Sequence, residues 1–214
     1  DIGPRTYQKI FEWMLRLRIN TIWPAIAKTA FGFYPENYKL AERFAVIVSG
    51  HHASSLLRSK HEWWETPERG EFNYFTNREG VRQFWMERLE EVRELEAIYP
   101  VGIRGLGDIP AEGTDSFQDE MRLNEAVIDD QRELLAEFVN PSVEDIPQML
   151  AVWKEFADFV DEGMRIPDDI LLLRSNDGFG WVHNEGPENE YLRSGGRGVY
   201  YHVSFSCLRY EYLQ

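Results

Sequence analysis

Apolar residues return along this chain in two alternating rhythms: short β-branched or aromatic runs, and longer stretches with apolar positions every three or four residues. Pro4 suits a first helical turn, and Tyr7, Ile10, Phe11, Met14 and Leu17 follow at helical spacing. Arg18 to Pro24 then gathers β-formers that stop at a proline, leaving Trp23 at the end of the run. A polar, aromatic loop leads to a short helix around Tyr38 to Arg43. Phe44 to Val48 forms a second run, which ends at Ser49-Gly50-His51-His52. Leu56 to Tyr74 reads as an ordered loop excursion because of its aromatic load. Thr76 with Glu79 has the form of a capping box, and the helix it opens carries Val81, Phe84, Trp85, Leu89, Val92 and Leu95 on one side.

Ile98 to Ile103 is the third run, and it ends at Arg104-Gly105-Leu106-Gly107-Asp108. The two glycines are expected to let the backbone leave the strand at angles other residues resist. Ser116 is placed to cap a long helix whose expected buried stripe is Phe117, Met121, Ile128, Leu135 and Phe138, with its acids on a solvated face. Pro147 to Val152 makes a fourth run and delivers Trp153-Lys154-Glu155; a helix through Phe156, Phe159 and Val160 follows and stops at Gly163. Ile170 to Leu173 is the fifth run, ending in Arg174-Ser175-Asn176-Asp177-Gly178. Beyond a Gly-rich loop, Val199 to Phe205 is the sixth and carries His202. Strands alternating with amphipathic helices are the pattern of βα units around a parallel sheet. The expectation is an α/β fold, an incomplete (β/α)8 TIM-type barrel of about six of eight units. Residues 1–214 are expected to form part of a single barrel domain in a larger protein, since the chain opens at Asp1 without a Met or a signal-like segment.

Composition narrows the partners. A formal net charge of −14 argues against nucleic acid, which is held by clustered Lys and Arg, but not against a sugar acid, which needs only a local Arg. No run is long or apolar enough to span a bilayer. The one cysteine, Cys207, has no intrachain partner and no motif context. No His or acid spacing matches a Zn or Ca signature, so neither metal nor cofactor is expected. Seven Trp, ten Tyr and thirteen Phe both fill cores and stack on sugar rings, and composition alone favours the core.

In a parallel barrel, chemistry collects at the C-terminal strand ends. Those ends gather Trp23, His51, His52, Arg104, Asp108, Glu155, Asn176, Asp177 and His202. Each has an ordinary alternative: His51 and His52 could cap a loop, Glu155 could be the first acid of a helix, and Asp177-Gly178 is a common turn dipeptide. Their joint placement is more specific than any one of them. Asp108 and Glu155, from non-adjacent strands, suit acid and base work across a glycosidic bond, and an Arg with histidines suits an anionic sugar.

Four stretches carry a family resemblance: Asn20–Ala25, Phe33–Asn37, Phe72–Val81 and Ser194–His202. They resemble glycoside hydrolase family 115, the xylan α-1,2-glucuronidases. The resemblance implies a (β/α)8 catalytic domain within a larger, homodimeric, extracellular or periplasmic protein. Such a protein would release glucuronic acid or its 4-O-methyl ether from glucuronoxylan or its oligosaccharides by inversion. It implies Arg104 and Asp108 in the active site, Glu155 as the second carboxylate, and His51 and His202 on substrate. Asp108 is expected as acid and Glu155 as base, with the exchange left open. Where the family carries Glu-Pro after the His loop, this chain has Ala53-Ser54-Ser55, and Gly178 stands where an amide side chain is usual. A barrel that binds acidic glycans without cleaving them is the alternative, and the isolated chain is expected to be inactive.

Overall fold

The computed structural model of the protein describes residues 2–27, 31–177, 180–182, 186 and 188–203. Gly178, Phe179, Cys207 and the Ser204–Phe205 end of the sixth expected strand lie outside these described residues. Two units can be distinguished along the chain, Asp1–Pro147 and Gln148–Gln214.

In the first unit, helix α1 (Pro4–Arg16) buries Tyr7, Phe11 and Met14, while Leu17 falls past its end and is exposed. Arg18 takes a left-handed φ of 61°, which interrupts extended backbone. Strand β1 (Thr21–Ile22) is therefore shorter than the run that predicts it. Ala45, at φ 51°, trims the second run in the same way, to β2 (Ile47–Val48), after helix α2 (Glu36–Arg43). The two strands pair in parallel, Thr21 with Ile47 and Ile22 with Val48. Val48 is also bridged in parallel to Ala97, just before strand β3 (Tyr99–Pro100). Tyr7, Phe31 and Tyr38 meet edge to face at 4.6 and 5.0 Å between ring centres, the arrangement aromatic quadrupoles favour.

Helix α3 (Arg78–Val92) buries Val81, Phe84, Trp85, Leu89 and Val92 as expected, and Arg88 with them. The buried guanidinium is paired, donating to Glu62 at 2.7 Å, which offsets its desolvation. The capping box does not form. Asn77 occupies the N-cap position, and its side-chain amide donates instead to the Arg69 and Glu71 carbonyls, both at 2.8 Å.

Helix α4 (Phe117–Phe138) starts as expected, with Ser116 Oγ accepting from the Asp119 N–H at 3.2 Å. Its inner face is rotated from the expected stripe. Ile128 and Leu135 are buried, but Phe117, Met121 and Phe138 are only partly so; Leu123, Val127 and Leu134 are buried in their place, together with the polar Glu120, Asn124, Asp130 and Gln131. Not all of its acids are solvated, therefore. The cause is the unsatisfied backbone beyond β3. Asn124 Oδ1 accepts from Ile103 N–H at 2.9 Å, Gln131 Oε1 from Gly102 N–H at 2.7 Å, and Glu120 Oε1 from Ala111 N–H at 2.9 Å.

In the second unit, β4 (Gln148–Val152), β5 (Leu171–Ser175) and β6 (Arg197–Tyr200) lie parallel in chain order, Met149 opposite Leu171 and Leu172 opposite Arg197. Every residue of β4 is buried, as in a parallel strand covered on both faces. Helix α5 (Glu155–Asp161) follows and buries Phe156 and Phe159. Arg174 lies inside β5 rather than beyond it and is buried, with Nε 3.0 Å from Glu190 Oε2 and Nη2 3.1 Å from Asp161 Oδ1. The chain is an α/β fold with parallel sheets.

Candidate functional site

β2 hands over to Ser49-Gly50-His51-His52, and this loop is fastened to the third run by its hydroxyls. Ser49 Oγ donates to the Ile98 carbonyl at 2.8 Å and Ser55 Oγ to the Gly102 carbonyl at 2.5 Å. Between them, Ser54 Oγ accepts from the His51 N–H at 3.1 Å. The Ala53-Ser54-Ser55 stretch thus builds the turn that presents the two histidines. Their ring centres are 4.8 Å apart, and that of Trp23, at the end of β1, is 6.3 Å from His51.

Beyond β3, Arg104 is 2% exposed. Its guanidinium donates to Asp108 Oδ1 and, at 3.2 Å, to the Asp108 backbone carbonyl. His52 Nε2 lies 3.1 Å from the same Oδ1, and the Asp108 side chain keeps 43% of its surface open. Of the expected residues, His51, His52, Arg104 and Asp108 therefore come together, with Trp23 beside His51. In the turn that carries Asp108, Gly107 meets the expectation and Gly105 serves a different need. Gly107 has φ 75°. Gly105 is needed instead for close approach, since a Cβ there would stand 2.5 Å from the Pro110 carbonyl oxygen.

Lys60 escaped the sequence reading. It is 4% exposed, and its ammonium donates to the Gly105 carbonyl at 2.7 Å. Nothing in the spacing of Ser59-Lys60-His61-Glu62 marks it, because a lysine in a polar-aromatic loop ordinarily points to water. Its charge is felt by both histidines. Burial first, then Lys60, lower the His51 pKa to about 4 against the opposing pull of Asp108. For His52, burial and then His51 lower the pKa to about 3, with Arg104 and Lys60 adding to the shift and Asp108 opposing it. Both imidazoles are neutral at neutral pH.

In the second unit, Asn176 is buried at the end of β5 and grips His202. Its Oδ1 accepts from the His202 N–H at 2.6 Å and its Nδ2 donates to the His202 carbonyl at 3.1 Å. The imidazole stacks on Tyr200 at 4.4 Å, with Trp153 at 5.9 Å, and burial lowers its pKa. Asp177 closes a loop, its Oδ1 accepting from the Trp181 N–H at 2.9 Å and its N–H donating to the Trp181 carbonyl at 2.8 Å. Glu155 is half-buried and begins α5.

Backbone strain marks the same places. Of the left-handed non-glycine φ values among the described residues, two lie at Arg18 and Ala45 before the first strands, and the others at Leu56 (49°) and Leu57 (63°) after the His loop, at Asp108 (65°), and at Lys154 (51°) beside Glu155. Such residues persist where their surroundings over-determine them, and they cluster at functional sites. No group of three or more His, Cys, Asp or Glu able to hold a metal occurs among the described residues. None of the described helices is long and apolar enough to cross a membrane.

The sequence profile of glycosyl hydrolase family 115 matches residues 1–213. The chain belongs to this family. Among solved structures, it is similar to "a novel family GH115 4-O-Methyl-alpha-glucuronidase, BtGH115A, with specificity for decorated arabinogalactans", at 33% identity and a TM-score of 0.89. That likeness covers 95% of this chain and 27% of the other, so the chain spans about a quarter of that relative's length. No curated protein matches it. Family 115 membership thus agrees with the resemblance carried by Phe72–Val81 and Ser194–His202.

Proposed function

We propose that this chain is most of the catalytic domain of a larger family 115 glycoside hydrolase, its residues 1–214 forming part of a (β/α)8 barrel. The enzyme releases glucuronic acid or its 4-O-methyl ether, α-1,2-linked to a polysaccharide backbone, by inversion. The first substrate to test is glucuronoxylan; the similar enzyme's decorated arabinogalactans are the second. A polymeric substrate places the protein outside the cell or in the periplasm, and the family resemblance supports a homodimer.

The observation that carries this reading is the Asp108 carboxylate, half open to solvent on a left-handed turn and gripped by Arg104 and His52. A guanidinium bonded to a carboxylate stabilises the anion. That supports Asp108 as the base that activates water and Glu155 as the acid, the reverse of the roles first expected. An inverting pair needs roughly 6.5–9.5 Å between its carboxyls to admit that water. By the family resemblance, His51 and His202 are the histidines expected on substrate, and Trp23 and Asn176 are further candidates for substrate contact.

Uronic acid release by the full-length protein is the test, with Asp108→Asn and Glu155→Gln compared to the parent. Each variant is expected to lose about a thousandfold or more in kcat while hydrogen exchange elsewhere is unchanged. Near-parental turnover in either would remove that residue from the chemistry. Tight binding of uronate-bearing oligosaccharides with no release by the parent would favour a non-hydrolytic glycan binder.

A further inference from the structure

We propose that Lys60 is a positioning residue for Asp108: by donating to the Gly105 carbonyl it pins the left-handed turn that presents the carboxylate beside His51 and His52. The inference rests on the functional reading above.

Lys60 is nearly inaccessible, and burying an ammonium is costly unless it is well bonded. The 2.7 Å contact to Gly105 is a charge-assisted hydrogen bond made across 45 positions of sequence. Gly105 also donates its N–H to the Ile109 carbonyl at 3.0 Å. One end of the Gly105–Ile109 turn is therefore held by Lys60, while Arg104 holds the Asp108 carbonyl. The lysine is itself fixed from behind: its N–H donates to Ala53 at 3.0 Å, and the preceding Ser59 Oγ donates to Ile26 at 2.8 Å. Aspartate tolerates φ 65° better than most non-glycine residues, and this grip holds Asp108 there rather than in ordinary backbone.

The charge has a second effect. Among the groups that act on the two rings, Lys60, Asp108 and His61 act on His51, and His51, Asp108, Arg104 and Lys60 act on His52. Burial is the largest cause of the lowered pKa of both rings and Lys60 adds to it, more strongly for His51 than for His52, so His52 meets Asp108 as a neutral imidazole. A carboxylate facing a second full cation would be a poorer base.

The test uses full-length Lys60→Met and Lys60→Arg proteins. In Lys60→Met, kcat on glucuronoxylan is expected to fall about tenfold or more with KM changed less than about threefold. Removing the positive charge lets the histidines protonate at higher pH, so the acid limb of the kcat/KM profile should move upward by about half a unit or more. Lys60→Arg should restore that limb. Parental kcat and an unmoved acid limb in Lys60→Met would overturn the proposal, as would a kcat loss accompanied by exchange throughout the first unit with the limb unmoved. Two readouts need no turnover: hydrogen exchange over residues 104–109, expected to quicken locally, and NMR titration of labelled histidines, expected to shift up. If the parent released no uronic acid, the functional reading would fail, and these two would still decide what Lys60 does.

Discussion

Replacing Gln131 with leucine should loosen the strand end that carries Arg104 and Asp108, by an amount the hydrogen bonds allow one to state. Gln131 is fully buried on α4. Its Oε1 accepts from the Gly102 N–H at 2.7 Å, and its Nε2 donates to the Gly102 carbonyl at 3.2 Å. That carbonyl has a second donor in Ser55 Oγ. Gln131→Leu therefore orphans a buried N–H while the carbonyl keeps a partner, and an unsatisfied buried donor costs about 1–3 kcal/mol. At about 2 kcal/mol, protection of the Gly102 amide should fall roughly thirtyfold. Ser55→Ala leaves the carbonyl bonded to Gln131 and should cost about 1 kcal/mol, or roughly fivefold. Together the two substitutions strip the carbonyl of both donors, so the double variant should exceed the product of the singles by roughly fivefold. Hydrogen exchange of peptides covering residues 99–104 in the full-length protein measures this locally, and the Ile103 amide, still held by Asn124, is an internal reference. Unchanged protection in Gln131→Leu, or singles that simply multiply, would refute the reasoning.

Two further outcomes follow from charged groups away from the candidate site. Burial pushes the Asp130 carboxyl up, but hydrogen bonds from Arg78 and Tyr74 and the charge of Arg82 outweigh it and hold the pKa below the ordinary 3.8. A folded-state pKa below the unfolded one means that its contribution is fully present above about pH 4 and is lost as pH falls through the folded value. The stability gap between the parent and Asp130→Asn, read by thermal unfolding, should be open at pH 6 and narrow toward pH 3. Arg174→Met would leave the Glu190 carboxylate buried beside a lost partner, at a cost of about 3–5 kcal/mol. Exchange in β5 should quicken accordingly, and Arg174→Met with Glu190→Leu should recover most of the loss.

The residues most legible in the sequence were those where charge interrupts an apolar run. Arg104 and Asp108 stand out because glycines and an acid cannot continue a buried strand, and His51 and His52 stand out for the same reason after Val48. The strands themselves read too long, because neither Arg18 nor Ala45 announces a left-handed φ in its side chain. Helix α4 was misread because Asn124 and Gln131 occupy inward positions to serve backbone groups, and an apolar period cannot register a polar residue facing inward. Lys60 was missed for a related reason. Its task is to bond a carbonyl 45 positions away, and only the folded chain brings the two together.

The central claim is that these strand ends belong to an inverting glycosidase that removes an α-linked uronic acid. NMR of the product formed by the full-length protein acting on glucuronoxylan tests it most directly. Early appearance of the β-anomer of glucuronic acid or its 4-O-methyl ether, mutarotating afterwards to the equilibrium mixture, is the expected result. Release of the α-anomer first would contradict the account, because net retention requires two displacements at the anomeric carbon, the first by a nucleophile other than water, in place of one by a water activated by Asp108.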